Sequence, residues 1–217
     1  MFNIYYNIHK GATMVQNLTK RQQDAIETKK KIVNATKKLL SHKGFEEVSI
    51  IDITREAKVS TGSFYTYFKK KEDIISELNK LDFYILAQTV MQMKDKTVSQ
   101  RLEYYCENFL LAIERAGVEI CRQWIRNNIK PLPMPEAPQF TKYQYDHKAL
   151  HSVLTKAVDD GELKAGFPIE DFTVQINAQL YGLMTIWCMS DTNVIGSGLI
   201  KKYITDVLSP ALKPYLK

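Results

Sequence analysis

Between Ser49 and Phe68 the chain has room for two helices of only about two turns each, joined by a three- or four-residue break around Val59 and Ser60. This spacing constrains the fold more tightly than any other feature. Ser49 stands three residues before Asp52, a box-like start for the first short helix, which is expected to reach Lys58 with Ile50, Ile53 and Ala57 on its buried face. The second is expected over 61–68. A longer amphipathic helix precedes them at about 24–43, with Ile32, Ala35, Leu39 and Leu40 on one stripe. Gly44 stops it, and Phe45 and Val48 follow as core plugs. The pattern is that of a helix-turn-helix whose second short helix is the recognition element.

The remaining sequence is wholly helical in pattern. A fourth helix is expected over about 71–93, then helices at 98–115, 117–129, 139–160, 169–190 and 198–216, separated by AG, PLPMPEAP, GELKAGFP and DTNVIGS. No strand-like alternation competes, so the fold class is all-α. PLPMPEAP reads as a proline-broken connection between helices. The domains are expected as a flexible extension over 1–23, a three-helix domain over 24–71 and a larger helical domain over 72–217. Met1 and Met14 both remain open as the translation start.

Charge places the chemistry. The net charge is +6, yet residues 1–80 carry 15 Lys or Arg against 9 Asp or Glu, while the remainder is balanced at 15 of each. A basic segment on a neutral body suits a polyanion, either nucleic acid or an anionic membrane. Membrane binding leaves the Ser/Thr/Tyr cluster after Val59 without a role. The longest apolar-leaning run, YGLMTIWCMS, is about half the ~20 residues of a spanning helix. Cys106, Cys121 and Cys188 are odd in number and widely spaced, which argues against a disulfide framework or a zinc knot and for a reducing cytoplasm. No HExxH, GxSxG, phosphate-binding glycine loop or Cys/His dyad is present, so no catalytic residue and no cofactor is expected.

Within VSTGSFYTYFKKKED, helical spacing turns Phe64 and Phe68 toward a core and leaves Tyr65 and Tyr67 outward. Ser60 can cap the helix, and the N–H groups of Thr61 and Gly62 can meet a phosphate. Gly62 lets the backbone approach DNA closely. Ser63 and Thr66 can reach base edges or phosphates, the tyrosine hydroxyls can meet phosphate oxygens, and Lys71 adds charge-assisted binding. Ser49, at the start of the first short helix, is a further candidate DNA contact.

The span TKKKIVNATKKLLSHKGFEEVSIIDITREAKVSTGSFYTYFKKKEDII, from Thr28 to Ile75, resembles the DNA-binding domain of the tetracycline-repressor (TetR) family of bacterial regulators. Matching pieces are I-x-x-A at Ile32 and Ala35, KGF at 43–45, S-x-x-D-I at 49–53, A-x-V-S at 57–60 and G-x-x-Y-x-Y-F-x-x-K-E-x-I from Gly62 to Ile74. One departure is Lys70, where the family commonly has a small polar cap. The resemblance implies a dimer on a palindromic operator, contacts through Ser60, Thr61, Gly62, Ser63, Tyr65, Tyr67 and Lys71, and a C-terminal domain that binds an inducer and dimerises. In that family the helices starting near 139 and 169 pair with their copies. Leu150, Val153, Leu154, Ala157 and Val158 supply one apolar stripe for such an interface, and Phe172, Ile176, Leu180, Leu183 and Trp187 another.

Tyr105, Phe109, Trp124, His147, Tyr181, Met184 and Trp187 are candidates to line a pocket for a lipophilic or aromatic inducer. His147 and His151 stand one helical turn apart, a spacing that can bind a metal or haem iron, but no carboxylate or cysteine is paired with them by sequence and ordinary surface or core histidines are the favoured reading. A second reading is a TetR-like DNA-binding adaptor whose C-terminal domain contacts a protein partner instead of an inducer.

Overall fold

The computed structural model describes residues 19–78, 80–129, 142–190 and 198–217. PLPMPEAP, DTNVIGS and the extension over 1–18 lie outside the described residues. The chain separates into two compact units, residues 1–71 and 72–217. Among the described residues the structure is helical, with one isolated antiparallel bridge between Leu163 and Leu216.

The first unit holds α1 (Lys20–Leu40), α2 (Ile50–Ala57) and α3 (Thr61–Tyr67). Each begins on a side chain that takes up an orphan backbone N–H. Thr19 caps α1 in a reciprocal box with Gln22, so the helix starts earlier than the 24 expected from periodicity alone. Ser49 and Asp52 form the same box on α2, and Ser60 accepts from the N–H of Ser63 at 3.1 Å to start α3. α2 ends where Lys58 turns left-handed at φ 56°, and Val59 N–H bonds back to the Thr54 carbonyl at 3.0 Å. Ile32, Ala35, Phe45, Val48, Ile53, Ala57, Phe64 and Phe68 make the buried interior. Lys38 on α1 pairs with Glu56 on α2 at 2.6 Å.

The second unit contains α4 (Ile75–Leu78), α5 (Lys80–Gln92), α6 (Val98–Ala116), α7 (Val118–Ile129), α8 (Lys142–Asp159), α9 (Ile169–Met189), α10 (Leu199–Tyr203) and α11 (Ser209–Leu212). The helix expected over 71–93 begins instead with a 3-10 turn at Lys71–Ile74; beyond it α4 and α5 are helical on either side of residue 79, which lies outside the described residues. Lys70 offers no capping side chain, and the tighter turn meets the helix dipole with Glu72 and Asp73. Gly117, at φ 89°, makes the break between α6 and α7, a conformation that L side chains rarely adopt.

The helix expected over 198–216 is also interrupted. Ile204–Leu208 is a π-helical turn, closed by the Ser209 N–H on the Ile204 carbonyl. Only Ser209 separates it from Pro210, whose ring would crowd the carbonyl of Asp206, four residues back, in a regular helix.

α8 and α9 pack side by side, with α5, α6 and α7 against them. Here a sequence expectation fails. Leu150, Val153, Leu154 and Ala157 of α8, and Phe172, Ile176, Leu180 and Leu183 of α9, are buried inside the unit; Val158 and Trp187 are half-buried beside them. Periodicity identifies a buried face without saying which chain covers it. The outer face of α9 presents Val174, Ala178, Gly182 and Ile186 at successive four-residue steps, all exposed, and then Met189 at 81% exposure. No helix among the described residues is long and apolar enough to cross a membrane.

Candidate nucleic-acid interface and aromatic cage

On α3 the inward and outward sets separate cleanly. Phe64 is fully buried and packs at 5.3 Å between centroids on Phe68. Tyr65 meets Phe64 edge-on at 5.7 Å but remains 56% exposed. Thr61, Gly62 and Thr66 are exposed, while Ser63 and Tyr67 are half-buried. A Cβ built on Gly62 would meet only the Ser60 Oγ at 3.7 Å, an ordinary contact. The protein's own packing therefore makes no demand for glycine here.

The hydroxyls are not equally available. Thr66 donates to the Gly62 carbonyl at 3.1 Å, and Ser49 donates to the Asp52 carboxylate at 2.6 Å. Both have committed the proton that a phosphate oxygen would need. Ser60 and Ser63 share one hydrogen bond at 2.8 Å, so one of the two hydroxyls still has a proton to give. Asp52 is held below the usual carboxylate range, first by the Ser49 hydroxyl and then by the Ser49 N–H. Lys71 reaches back to donate to the Phe45 carbonyl at 2.8 Å, its nitrogen 4.3 Å from the centre of the Phe45 ring. An ammonium has three protons, so this bond leaves charge and donors for a phosphate.

In the second unit, the expected pocket residues partly converge. Tyr105, Phe109, Tyr181 and Trp124 form a chain of ring contacts at 6.1, 6.0 and 5.6 Å, and Met184 is buried in the same core. Trp187 packs at the edge of that core. His147 joins only through Tyr143, which touches both His147 at 5.8 Å and Tyr181 at 5.9 Å, and its Nε2 pairs with Glu170 at 2.9 Å. The His147 and His151 rings stack at 6.2 Å. Among the described residues, no group of three or more His, Cys, Asp or Glu side chains could hold a metal ion. A groove of about 510 Å³ runs along α8, lined by His151, Ser152, Thr155, Lys156, Asp159 and Asp160, none of them an aromatic of the cluster.

The centre of the aromatic cluster holds a side chain that sequence reasoning missed. The Lys142 ammonium lies 3.5 Å from the Phe83 ring centre, 4.4 Å from Phe109, 5.7 Å from Trp124 and 5.8 Å from Tyr181. It is paired with the buried Asp146 carboxylate, whose Oδ2 also accepts from the Tyr181 hydroxyl at 2.7 Å. Burial pushes the lysine down and the carboxyl up, and their mutual attraction opposes both shifts. Burial, then the nearby carboxylate, pushes the Tyr181 phenol well up, so it stays a donor. A signal was available: Lys142 and Asp146 extend the four-residue line of Leu150 and Leu154 toward the helix start.

Comparisons with known proteins agree with this architecture. Residues 32–78 match the family of bacterial regulatory proteins, tetR family. The HTH-type transcriptional regulator HbdR of Aromatoleum sp. (strain CIB) is 45% identical over 60 residues, covering 27% of this chain and 26% of that protein. A TetR-family transcriptional regulator from Pectobacterium atrosepticum superposes with a TM-score of 0.64 at 14% identity, over 92% of this chain and 98% of the other. The regulator FadR from Bacillus subtilis, solved with stearoyl-CoA, gives 0.55 at 18% identity over 80% and 96%.

Proposed function

We propose that this chain, a member of the tetR family of bacterial regulatory proteins, is a ligand-responsive repressor that binds a palindromic operator as a homodimer and is released by a small molecule. The observation that carries the reading is α3. Its buried Phe64 and Phe68 fix the helix from beneath, while Thr61, Gly62 and Tyr65 stand exposed on the same two turns. Such a surface, with the basic excess of residues 1–80, fits a helix placed in the major groove and steered by phosphate.

The family reading supplies the dimer and the inducer. For the dimer, the unsatisfied apolar face is the outer line of α9, Val174, Ala178, Gly182, Ile186 and Met189, whose small residues allow close helix approach. A twofold pair would present recognition helices about one DNA turn, roughly 34–36 Å, apart. For the inducer, the Bacillus subtilis relative solved with stearoyl-CoA is a precedent for a lipophilic ligand, and the aromatic interior around Phe109 and Tyr181 is the apolar region that would receive one. Release requires that the ligand favour one of two states of the dimer, since equal affinity for both shifts nothing.

Selection of the full-length protein on random DNA duplexes tests this. A recovered palindrome, with affinity falling steeply as salt rises, is the expected result. Recovery of no enriched duplex at low salt would overturn it.

A further inference from the structure

Lys142 opens α8 with its side chain only 16% exposed and its ammonium among the rings, and three physical effects oppose that placement. A cation at the first residue meets the positive end of the helix dipole. Lysine four residues before aspartate is the weaker order for such a pair. Removing an ion pair from water commonly costs more than a hydrophobic replacement of similar volume would.

The surroundings that offset these costs are specific. The ammonium faces Phe83, Phe109, Trp124 and Tyr181, and a desolvated cation against aromatic faces is strongly attracted to them. The carboxylate is not fully used. Asp146 Oδ2 accepts from both Lys142 and Tyr181, whereas Oδ1, in a side chain only 1% exposed, is buried without a hydrogen-bond partner. Four ring faces and one buried carboxylate with a spare oxygen make a receptor for an ammonium group that carries N–H. The lysine side chain is a butylammonium on a tether.

We propose that this cage is a binding site for a lipophilic amine, which displaces the Lys142 ammonium from Asp146 and the surrounding rings. The proposal rests on the reading of the chain as a ligand-responsive regulator and supplies the ligand class. A free amine gains over the tethered lysine by donating to Oδ1 as well as Oδ2 and by bringing apolar surface of its own. The displaced Lys142 returns to water. An anion is the other chemistry a buried lysine could serve. Here it would be placed beside the Asp146 carboxylate and against the negative faces of the rings, and both repel it.

Calorimetric titration of the full-length protein with 4-phenylbutylammonium, 4-phenylbutanol and 4-phenylbutyrate tests the site, with dodecylammonium as a longer probe. The amines should bind at least about tenfold more tightly than the alcohol or the acid. Asp146→Asn should lower amine affinity about tenfold, and Lys142→Met, which removes the competitor, should raise it. If Asp146→Asn fails to fold, Tyr181→Phe keeps the ring and removes one donor to the carboxylate. The freed acceptor is open to Lys142 and to a bound ammonium alike, so Tyr181→Phe should keep the preference for amines over the alcohol and the acid, and loss of that preference would overturn the site. Preference for 4-phenylbutyrate, abolished by Lys142→Met, would overturn the amine assignment while leaving the regulator reading intact. Absence of saturable amine binding to both the parent and Lys142→Met would also overturn it. DNA selection by the same preparations is read separately, so failure of the regulator reading is distinguishable from failure of the cage.

Discussion

Lys71 donates to the carbonyl of Phe45, 26 residues earlier, and covers the face of the same residue's ring. One side chain thus ties the segment after α3 to the turn that leads into α2. Lys71→Ala should reduce DNA affinity and also cost about 1–2 kcal/mol of stability in the first unit, because the carbonyl of the buried Phe45 loses a charged donor in a partly buried hydrogen bond. Lys71→Met should restore part of the packing and none of the affinity. Thermal unfolding and a salt series on one operator separate the two effects; a Lys71→Ala protein that bound as tightly as the parent would remove Lys71 from the interface.

Gly62 offers the opposite dissociation. Its Cβ position is open, its φ is not positive, and it lies in the first turn of α3. Gly62→Ala should therefore raise stability by about 0.5–1 kcal/mol through the unfolded chain. Operator affinity should fall tenfold or more if the helix backbone comes close to DNA. Denaturant unfolding and mobility shift on the same preparation check both halves.

A Cβ added at Gly182 meets nothing within 4 Å, so a side chain can leave α9 there toward solvent. Gly182→Arg should leave helical content and unfolding cooperativity unchanged but convert a dimer to a monomer in sedimentation. A dimer that survives both Gly182→Arg and Ala178→Arg would exclude the outer line of α9 as the interface.

The Asp52 carboxylate is held below its ordinary value of 3.8 by the Ser49 hydroxyl first and the Ser49 N–H second. Because the folded value is depressed, its contribution to stability is complete above the unfolded value and is lost as pH falls through the folded one. NMR titration should place Asp52 below 3.8 in the parent and move it upward in Ser49→Ala. The acid unfolding midpoint of that variant should rise in pH. An unmoved Asp52 midpoint would mean the capping box does not control its titration.

Much of the first unit was legible because its determinants are local. Ser49 with Asp52, and Ser60 with Ser63, lie three residues apart, so helix starts follow from chemistry within a single turn. Thr19 with Gln22 follows the same rule, although apolar periodicity begins too late to reveal it. The second unit was legible as helices but not as surfaces. Leu150 and Ile176 look equally suited to a partner chain or to their own core, and only tertiary packing decides. Lys142 was hidden for a related reason: a lysine beside a helix start reads as solvated, and its cage is assembled from four helices remote in sequence.

Ile200, Ile204, Leu208 and Leu212 are all buried, at strict steps of four residues. On a regular helix such steps drift about 40° each, roughly 120° across the series, which would carry one end of the row out toward solvent. The wide turn at Ile204–Leu208 rotates the chain less per residue and takes up that drift. The terminal segment therefore behaves as a vernier: its phase is reset once, midway, so that a four-step apolar row and an interior proline coexist in one docked rod. Deleting one residue within the wide turn would restore ordinary helical bonding and remove about 100° of the roughly 120° accumulated, which keeps Leu212 within about 20° of Ile200; single-residue deletion should therefore be better tolerated there than between Ser209 and Leu212.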